Sequence, residues 1–178
     1  MNHCVVKPWL AGVTLLHSLA ALALEDIPIA YWVVAKSYEI PVDILYAIAL
    51  AESGKRYQKR TTPWPWALNI EGQSVFCESQ REAVSQISRA VANTKSVDIG
   101  LMQVSWRWHS QRFSSVEEAL IPMRNLSAGA AILHEQFEQT KDWWIAVGQY
   151  HDPGQDAVSL DNAQRYRERV RQYWQGLM

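Results

Sequence analysis

Eight consecutive apolar residues, Ile44 to Ala51, run without a break through the stretch DILYAIALAESG and end on a carboxylate, Glu52. A helix that is apolar all round has no face to give to water, so it must lie inside a core built by other elements. Other elements must therefore cover this helix, in 178 residues, enough for one domain and short for two. Glu52 is the anomaly in this helix. An ionised carboxyl taken out of water without a partner is costly, so Glu52 is paired, turns out to solvent, or keeps its proton.

The surrounding segments supply the helices. DIPIAYWVVAKSYEI places Ile27, Ala30, Tyr31, Val34, Ala35 and Tyr38 at helical spacing, and Ile40-Pro41 breaks that helix. Asp43 is positioned to cap the central helix and Gly54 to stop it. From Lys55 to Ser79 there is too much Pro, Thr and Gly for a helix, and the stretch reads as a long loop with a short hairpin around Glu71-Gly72. Ser79 with Glu82 forms a capping box for a helix whose face is Ala83, Val84, Ile87, Ala90 and Val91. NTKSVDIGLMQVSW again reads as loop. Ser115 and Glu118 open a short helix ending at Pro122, and a longer one follows on Leu126, Ala130, Leu133 and Phe137. Asp142 caps WWIAVGQY, and the last helix runs from Asp161, with Ala163, Tyr166, Val170, Tyr173 and Trp174 on one side. Roughly seven helices and little strand are expected, an all-α, mainly helical fold.

Lys7 precedes a stretch uncharged from Pro8 to Leu24 that ends in the small-residue triplet Ala21-Leu22-Ala23. That is the order of a secretory signal peptide over residues 1–23, which leaves residues 24–178 as the mature domain and implies export to the periplasm. The apolar stretch falls short of the ~20 residues that span a bilayer, and an uncleaved anchor at the inner membrane is the alternative. Membrane contact is then expected only through that leader. Cleavage removes Cys4 and leaves Cys77 as a single thiol, so no internal disulfide forms and Cys77 reads as a buried structural cysteine.

The formal net charge of -1 gives no basic field for a nucleic acid. Nine Trp and seven Tyr are more than a small core usually needs, and their flat faces with a polar edge suit sugar rings. A carboxyl at the end of an apolar helix has its pKa raised by desolvation and by the negative end of the helix dipole. A Glu52 that stays protonated near neutral pH can act as a general acid, whereas one that reaches solvent or pairs with Lys55 or Arg56 is only structural. The five His show no ligand spacing, HEQFE lacks the second His of a zinc-protease helix, and there is no Gly-x-Ser-x-Gly elbow or phosphate loop. No metal and no cofactor is expected.

Further motifs follow Glu52-Ser53 in order: GLMQ (Gly100, Leu101, Met102, Gln103), GQYHDPG with Tyr150, and RYRERV with Tyr166. Together they resemble the lysozyme-like lytic transglycosylases of the soluble-lytic-transglycosylase (SLT) type, over roughly Ile27 to Trp174. NLSAGA, from Asn125, is similar to the helix start that the family places between its second and third motifs. The resemblance implies a lysozyme-like fold, mainly helical with minimal strand, and glycan strands of peptidoglycan as the partner. It is nearest to small single-domain members that serve a conjugation, pilus or secretion apparatus, whose components are then further partners.

The resemblance also implies roles. Glu52 would protonate the glycosidic oxygen between N-acetylmuramic acid and N-acetylglucosamine. It would then take the proton of the muramic 6-hydroxyl as that oxygen closes a 1,6-anhydro ring. Gly100, Leu101, Met102 and His151 would contact substrate, Ser53, Gln103 and Tyr150 would orient substrate or Glu52, and Tyr166 would help hold Glu52. Two departures stand out, Gln149 for the family's usual Ala and His151 for its usual Asn, and His adds a pH dependence that Asn lacks. The long segment between the first two motifs carries PWPWALN, in which Trp66 and Asn69 are candidates for touching glycan.

Two other readings stay open. A hydrolytic lysozyme-type muramidase needs a second carboxylate, for which Asp98 is the best placed, ahead of Glu71 and Asp152. A peptidoglycan-binding subunit of an envelope-spanning machine would keep the groove without turnover.

Overall fold

The computed structural model describes residues 26–58, 60–93 and 96–178. The expected leader, residues 1–23, and Cys4 lie outside them. Helix α1 (Ile29–Ser37) packs on α2 (Val42–Ser53), the apolar helix, in which every residue from Ile44 to Leu50 is buried. Asp43 does not cap α2. It sits inside the first turn, behind Pro41 at the cap, and accepts a hydrogen bond from Trp174 Nε1 at 2.6 Å. The carboxylate thus ties the start of the central helix to the end of the chain.

The segment after α2, expected as loop, pairs instead into two hairpins. β1 (Gly54–Tyr57) with β2 (Arg60–Pro63) makes one, and β3 (Ala67–Ile70) with β4 (Gln73–Phe76) makes the other. The second turns at Glu71-Gly72, as expected, with φ of 52° and 85°. Positive φ at both positions is what a two-residue turn needs to follow the twist of its strands. After helix α3 (Gln80–Asn93), β5 (Val97–Ile99) and β6 (Val104–Ser105) join the second hairpin in a sheet of order β4-β3-β5-β6. Val97 to Ser105, in the second stretch expected as loop, is therefore strand, turn, strand. None of these six strands exceeds four residues, too short for a period-2 pattern to declare itself.

One-turn helix α4 (Trp106–His109) and a 3-10 turn lead to α5 (Val116–Ala119), α6 (Pro122–Thr140), α7 (Trp143–His151) and α8 (Ala157–Gln175). The count among the described residues is eight helices. Caps fall where side-chain oxygens can take the free amides: Ser79 on Glu82 N, Ser115 on Glu118 N, and Asp142 on Trp144 N and Ile145 N. Helix α8 opens at Ala157, earlier than expected, because Asp156 accepts from Val158 N and Ser159 N. No helix among the described residues is long and apolar enough to cross a membrane.

Two apolar clusters result. One surrounds α2 with side chains of α1, α6, α7 and α8, including Tyr31, Leu126, Leu133, Val147 and Val170. The other lies between the four-stranded sheet and helices α3 and α5, on Leu68, Ile87, Val97, Ile99 and Leu120, with Cys77 buried among them. Glu52 stands on the last turn of α2, where the helical part meets the sheet part.

Candidate active site

The turn joining β5 to β6 is GLMQ, and it is held from every side. Gly100 has φ of 77°, and a Cβ there would meet Asn125 Cγ at 2.6 Å, so conformation and space both require glycine. Gly100 N donates to Ala67 O at 2.8 Å. Met102 N donates to Asn125 Oδ1 at 2.9 Å, and Asn125 Nδ2 returns bonds to Ile99 O and Ala119 O at 2.8 and 3.0 Å. Tyr150 Oη donates to Met102 O at 2.7 Å, and Gln103 Nε2 to Ala67 O and Gly100 O. Ser53 Oγ donates to Leu101 O at 2.7 Å and accepts from Trp64 N at 3.2 Å. Backbone groups that a turn would leave to water are satisfied inside the protein, which fixes the turn against the end of α2.

A cleft of about 930 Å³ opens over this junction. Glu52, Asn69, Gln103, Tyr150 and His151 line it, so the fold brings five of the eleven expected site residues to one wall system. The remaining six stand elsewhere. Ser53 is fully buried, and its hydroxyl is engaged with backbone, so it holds the helix end that carries Glu52. Gly100, Leu101 and Met102 are buried as well, and Met102 packs against Gly129. Trp66 turns into the second apolar cluster and meets Trp64 edge-on at 6.1 Å. Trp66, a candidate for touching glycan, is not among the residues that line the cleft, whereas Asn69 on β3 is. Tyr166 is 3% exposed and reaches Glu52 from behind.

Tyr166 Oη donates to Glu52 Oε1 at 2.6 Å. Burial raises the Glu52 carboxyl from 4.5 to about 7, against the opposing pull of the Tyr166 hydrogen bond and the Arg169 guanidinium, while Asp98 pushes it further up. Glu52 is therefore divided between acid and base at neutral pH, the state that lets one group both give and take a proton. Burial, and after it the Glu52 charge, holds the hydroxyls of Tyr166 and Tyr150 far above their ordinary range, so Tyr166 stays a donor. The His151 ring lies flat on Tyr166, with centroids 4.5 Å apart and planes 2° from parallel. Desolvation and then Arg169 lower its pKa, which keeps the ring neutral at neutral pH.

Because the Tyr166 hydroxyl favours the charged carboxylate, Tyr166→Phe is expected to move the Glu52 titration midpoint upward from about 7. Carbon NMR of a protein labelled in its glutamates reads this directly. A midpoint that stays put or falls would show that the hydrogen bond does not act on the charge.

Four carboxylates line the cleft: Glu52, Asp98, Glu135 and Asp152. Glu135 is paired with Arg112 at 2.6 Å, and Asp152 accepts from Asn162 Nδ2 and Gly154 N. Asp98 is bonded to Ser105 and is raised by burial. Glu71 lies in the exposed turn of the second hairpin, away from the cleft. Of the three carboxylates that share the cleft with Glu52, Glu135 is committed to a cation and Asp152 to two hydrogen-bond donors, which leaves Asp98, bonded to Ser105, as the candidate second carboxylate.

The cleft also exposes residues that sequence reasoning missed. Trp108 is 66% exposed in its wall, whereas Trp106 stacks inward on Phe113 at 6.4 Å. Two positions apart on a one-turn helix, the two rings face opposite ways. The signal was the WRWH stretch, in which a helix can bury only one of the two. Arg169 enters the cleft from α8, one turn beyond Tyr166.

A sequence model of the family described as Transglycosylase SLT domain matches residues 75–173, more than half of the chain. The match takes in the GLMQ turn, Tyr150, Tyr166 and Arg169, and begins after Glu52 and after the first hairpin. Comparisons with curated proteins and with solved structures yield no match.

Proposed function

Since the chain belongs to the transglycosylase SLT domain family, we propose that it is a peptidoglycan lytic transglycosylase, with Glu52 as the acid and then the base. The observation that carries this reading is the Glu52–Tyr166 pair at 2.6 Å in a cleft, with the carboxyl pushed up to about 7. Protonated Glu52 gives its proton to the glycosidic oxygen that links N-acetylmuramic acid to N-acetylglucosamine. The bond from the muramic anomeric carbon to that oxygen breaks, and its electron pair leaves with the N-acetylglucosamine 4-hydroxyl. The muramic 6-hydroxyl oxygen then closes on the anomeric carbon, and its proton returns to the Glu52 carboxylate. Atoms balance without water, and the product ends in a 1,6-anhydro ring. One enzymatic carboxyl suffices for this route, and burial is what keeps it protonated at the start.

Asn69, Gln103 and Trp108 supply polar and aromatic wall to the strand, and an exposed Trp face is suited to the apolar face of a sugar. The reading assigns the enzyme to the periplasm, where its substrate lies, and its task to local remodelling of the wall.

Asp98 favours one second reading, hydrolysis by two carboxylates. Mass spectrometry of peptidoglycan digested with the protein separates the two. Muropeptides ending in 1,6-anhydro-muramic acid are expected, and Asp98→Asn is expected to keep making them. Reducing ends, heavier by one water, together with near-complete loss of activity in a folded Asp98→Asn, would replace the transglycosylase by a muramidase.

A further inference from the structure

Among the described residues, Arg169 is the only Lys or Arg in the wall of the cleft. Its environment differs from that of other arginines near the site. Arg112 is committed to Glu135, and Arg165 to Asp161 on its own helix. Arg169 makes no hydrogen bond or ion pair within the described residues. Its guanidinium carbon stands 5.0 Å from the centre of the Tyr166 ring, which gives the side chain a fixed support without consuming its donors. Asn162, Arg165, Tyr166 and Arg169 recur at i, i+3, i+4 and i+7 and so make one stripe along α8. That stripe, with His151, lines a second hollow of about 270 Å³, and Arg169 and His151 belong to the walls of both hollows.

An exposed guanidinium with five free donors, steadied on an aromatic face at the edge of a cleft, is built to take a carboxylate in two parallel bonds. The neighbouring acids do not take it. Glu52 is bonded to Tyr166 and Asp152 to Asn162 and Gly154, so both have other donors. Peptidoglycan carries acids of its own. The muramic ring bears a lactyl group whose carboxyl is free when the strand has lost its peptide, and a stem peptide brings further carboxylates. A strand of N-acetylglucosamine alone has none. We propose that Arg169 forms a carboxylate subsite joining the cleft to the second hollow, which reads the acid group carried by the muramic residue and so separates peptidoglycan from uncharged glycans. This rests on the peptidoglycan reading of the cleft.

The test measures binding rather than turnover, in the full chain carrying Glu52→Gln, because the neutral amide imitates the protonated carboxyl that Arg169 faces. Three probes of matched length are titrated calorimetrically at low salt: chitohexaose, glycan strands stripped of peptide, and strands that retain their peptides. At least one acid-bearing probe is expected to bind roughly tenfold more tightly than chitohexaose, the worth of a charge-assisted contact at a part-exposed site. Adding Arg169→Gln is expected to bring that ratio close to one, and Arg169→Lys, which keeps the charge but not the fork, to leave it in between. Tightest binding of stripped strands assigns the lactyl carboxylate, and tightest binding of peptide-bearing strands assigns a stem carboxylate. If chitohexaose binds as tightly as both acid-bearing probes, or if the ratio survives Arg169→Gln, the subsite is overturned while the glycan cleft stands. If none of the three binds, the proposed function falls, and the subsite with it.

Discussion

Glu52→Gln is expected to lower glycan cleavage by roughly a thousandfold or more, the share that a positioned acid–base group contributes. The amide keeps the shape of the side chain and still accepts from Tyr166, so the loss isolates the titrating proton. The same change is expected to stabilise the fold above neutral pH. Folded Glu52 holds its proton up to about 7, against 4.5 for a free side chain. Between those values the folded state binds more protons than the unfolded one, so stability falls as pH rises from 4.5 through 7. Above that window the native protein carries the full cost of an ionised, half-buried carboxyl, on the order of 3 kcal/mol. Gln removes that cost, so thermal melts at pH 8 are expected to show the variant as the more stable protein, with the two converging near pH 4. A variant that remains active would end the acid–base assignment. A variant less stable at pH 8 would show instead that the charged carboxylate is well served by Tyr166 and Arg169.

Asn125→Ala is the second change with a large expected effect, and it acts through the turn. Asn125 is fully buried and spends its amide on three backbone groups, at Met102, Ile99 and Ala119. Alanine leaves one N–H and two carbonyls without those partners, away from water, and opens a gap beside Gly100. The expected loss is about 3–5 kcal/mol, which lowers the melting temperature by roughly 10 °C in a domain of this size. Binding of glycan is expected to fall with it, because Gln103 and Tyr150 are both anchored on the turn that Asn125 holds. A melting temperature within two degrees of the parent, read as roughly zero on this scale, would mean that the turn stands without Asn125.

The two residues were legible in the sequence to different depths. Glu52 announced itself, because a carboxylate on an unbroken apolar run can be reconciled with burial in few ways. Asn125 was visible only as part of a family-like helix start, and its three backbone partners lie 6 to 26 residues away along the chain. Helices α3, α5 and α7 were marked by their own caps, and the second hairpin by Glu71-Gly72. Local chemistry settles such features, since a cap or a two-residue turn is complete within four residues. The other strands were not legible. β5 and β6 are three and two residues long, and each becomes a strand only because a neighbour supplies its hydrogen bonds.

The sequence by itself determined the buried helix, the upward pKa shift of the carboxyl at its end, and the helical class of the domain. These depend on apolar content and on residues close together in the chain. The tertiary structure decided which aromatic rings and polar groups face the cleft. It turned Trp108 out and Trp66 and Trp106 in, gave the Ser53 hydroxyl to the backbone, moved Asp43 from a cap to Trp174, and left the Arg169 guanidinium over the Tyr166 ring with no hydrogen bond or ion pair among the described residues. Each of those outcomes depends on what packs against the residue from a distant segment. A side chain's type fixes what bonds it can make, but only the assembled core decides which of them remain to be made with a ligand.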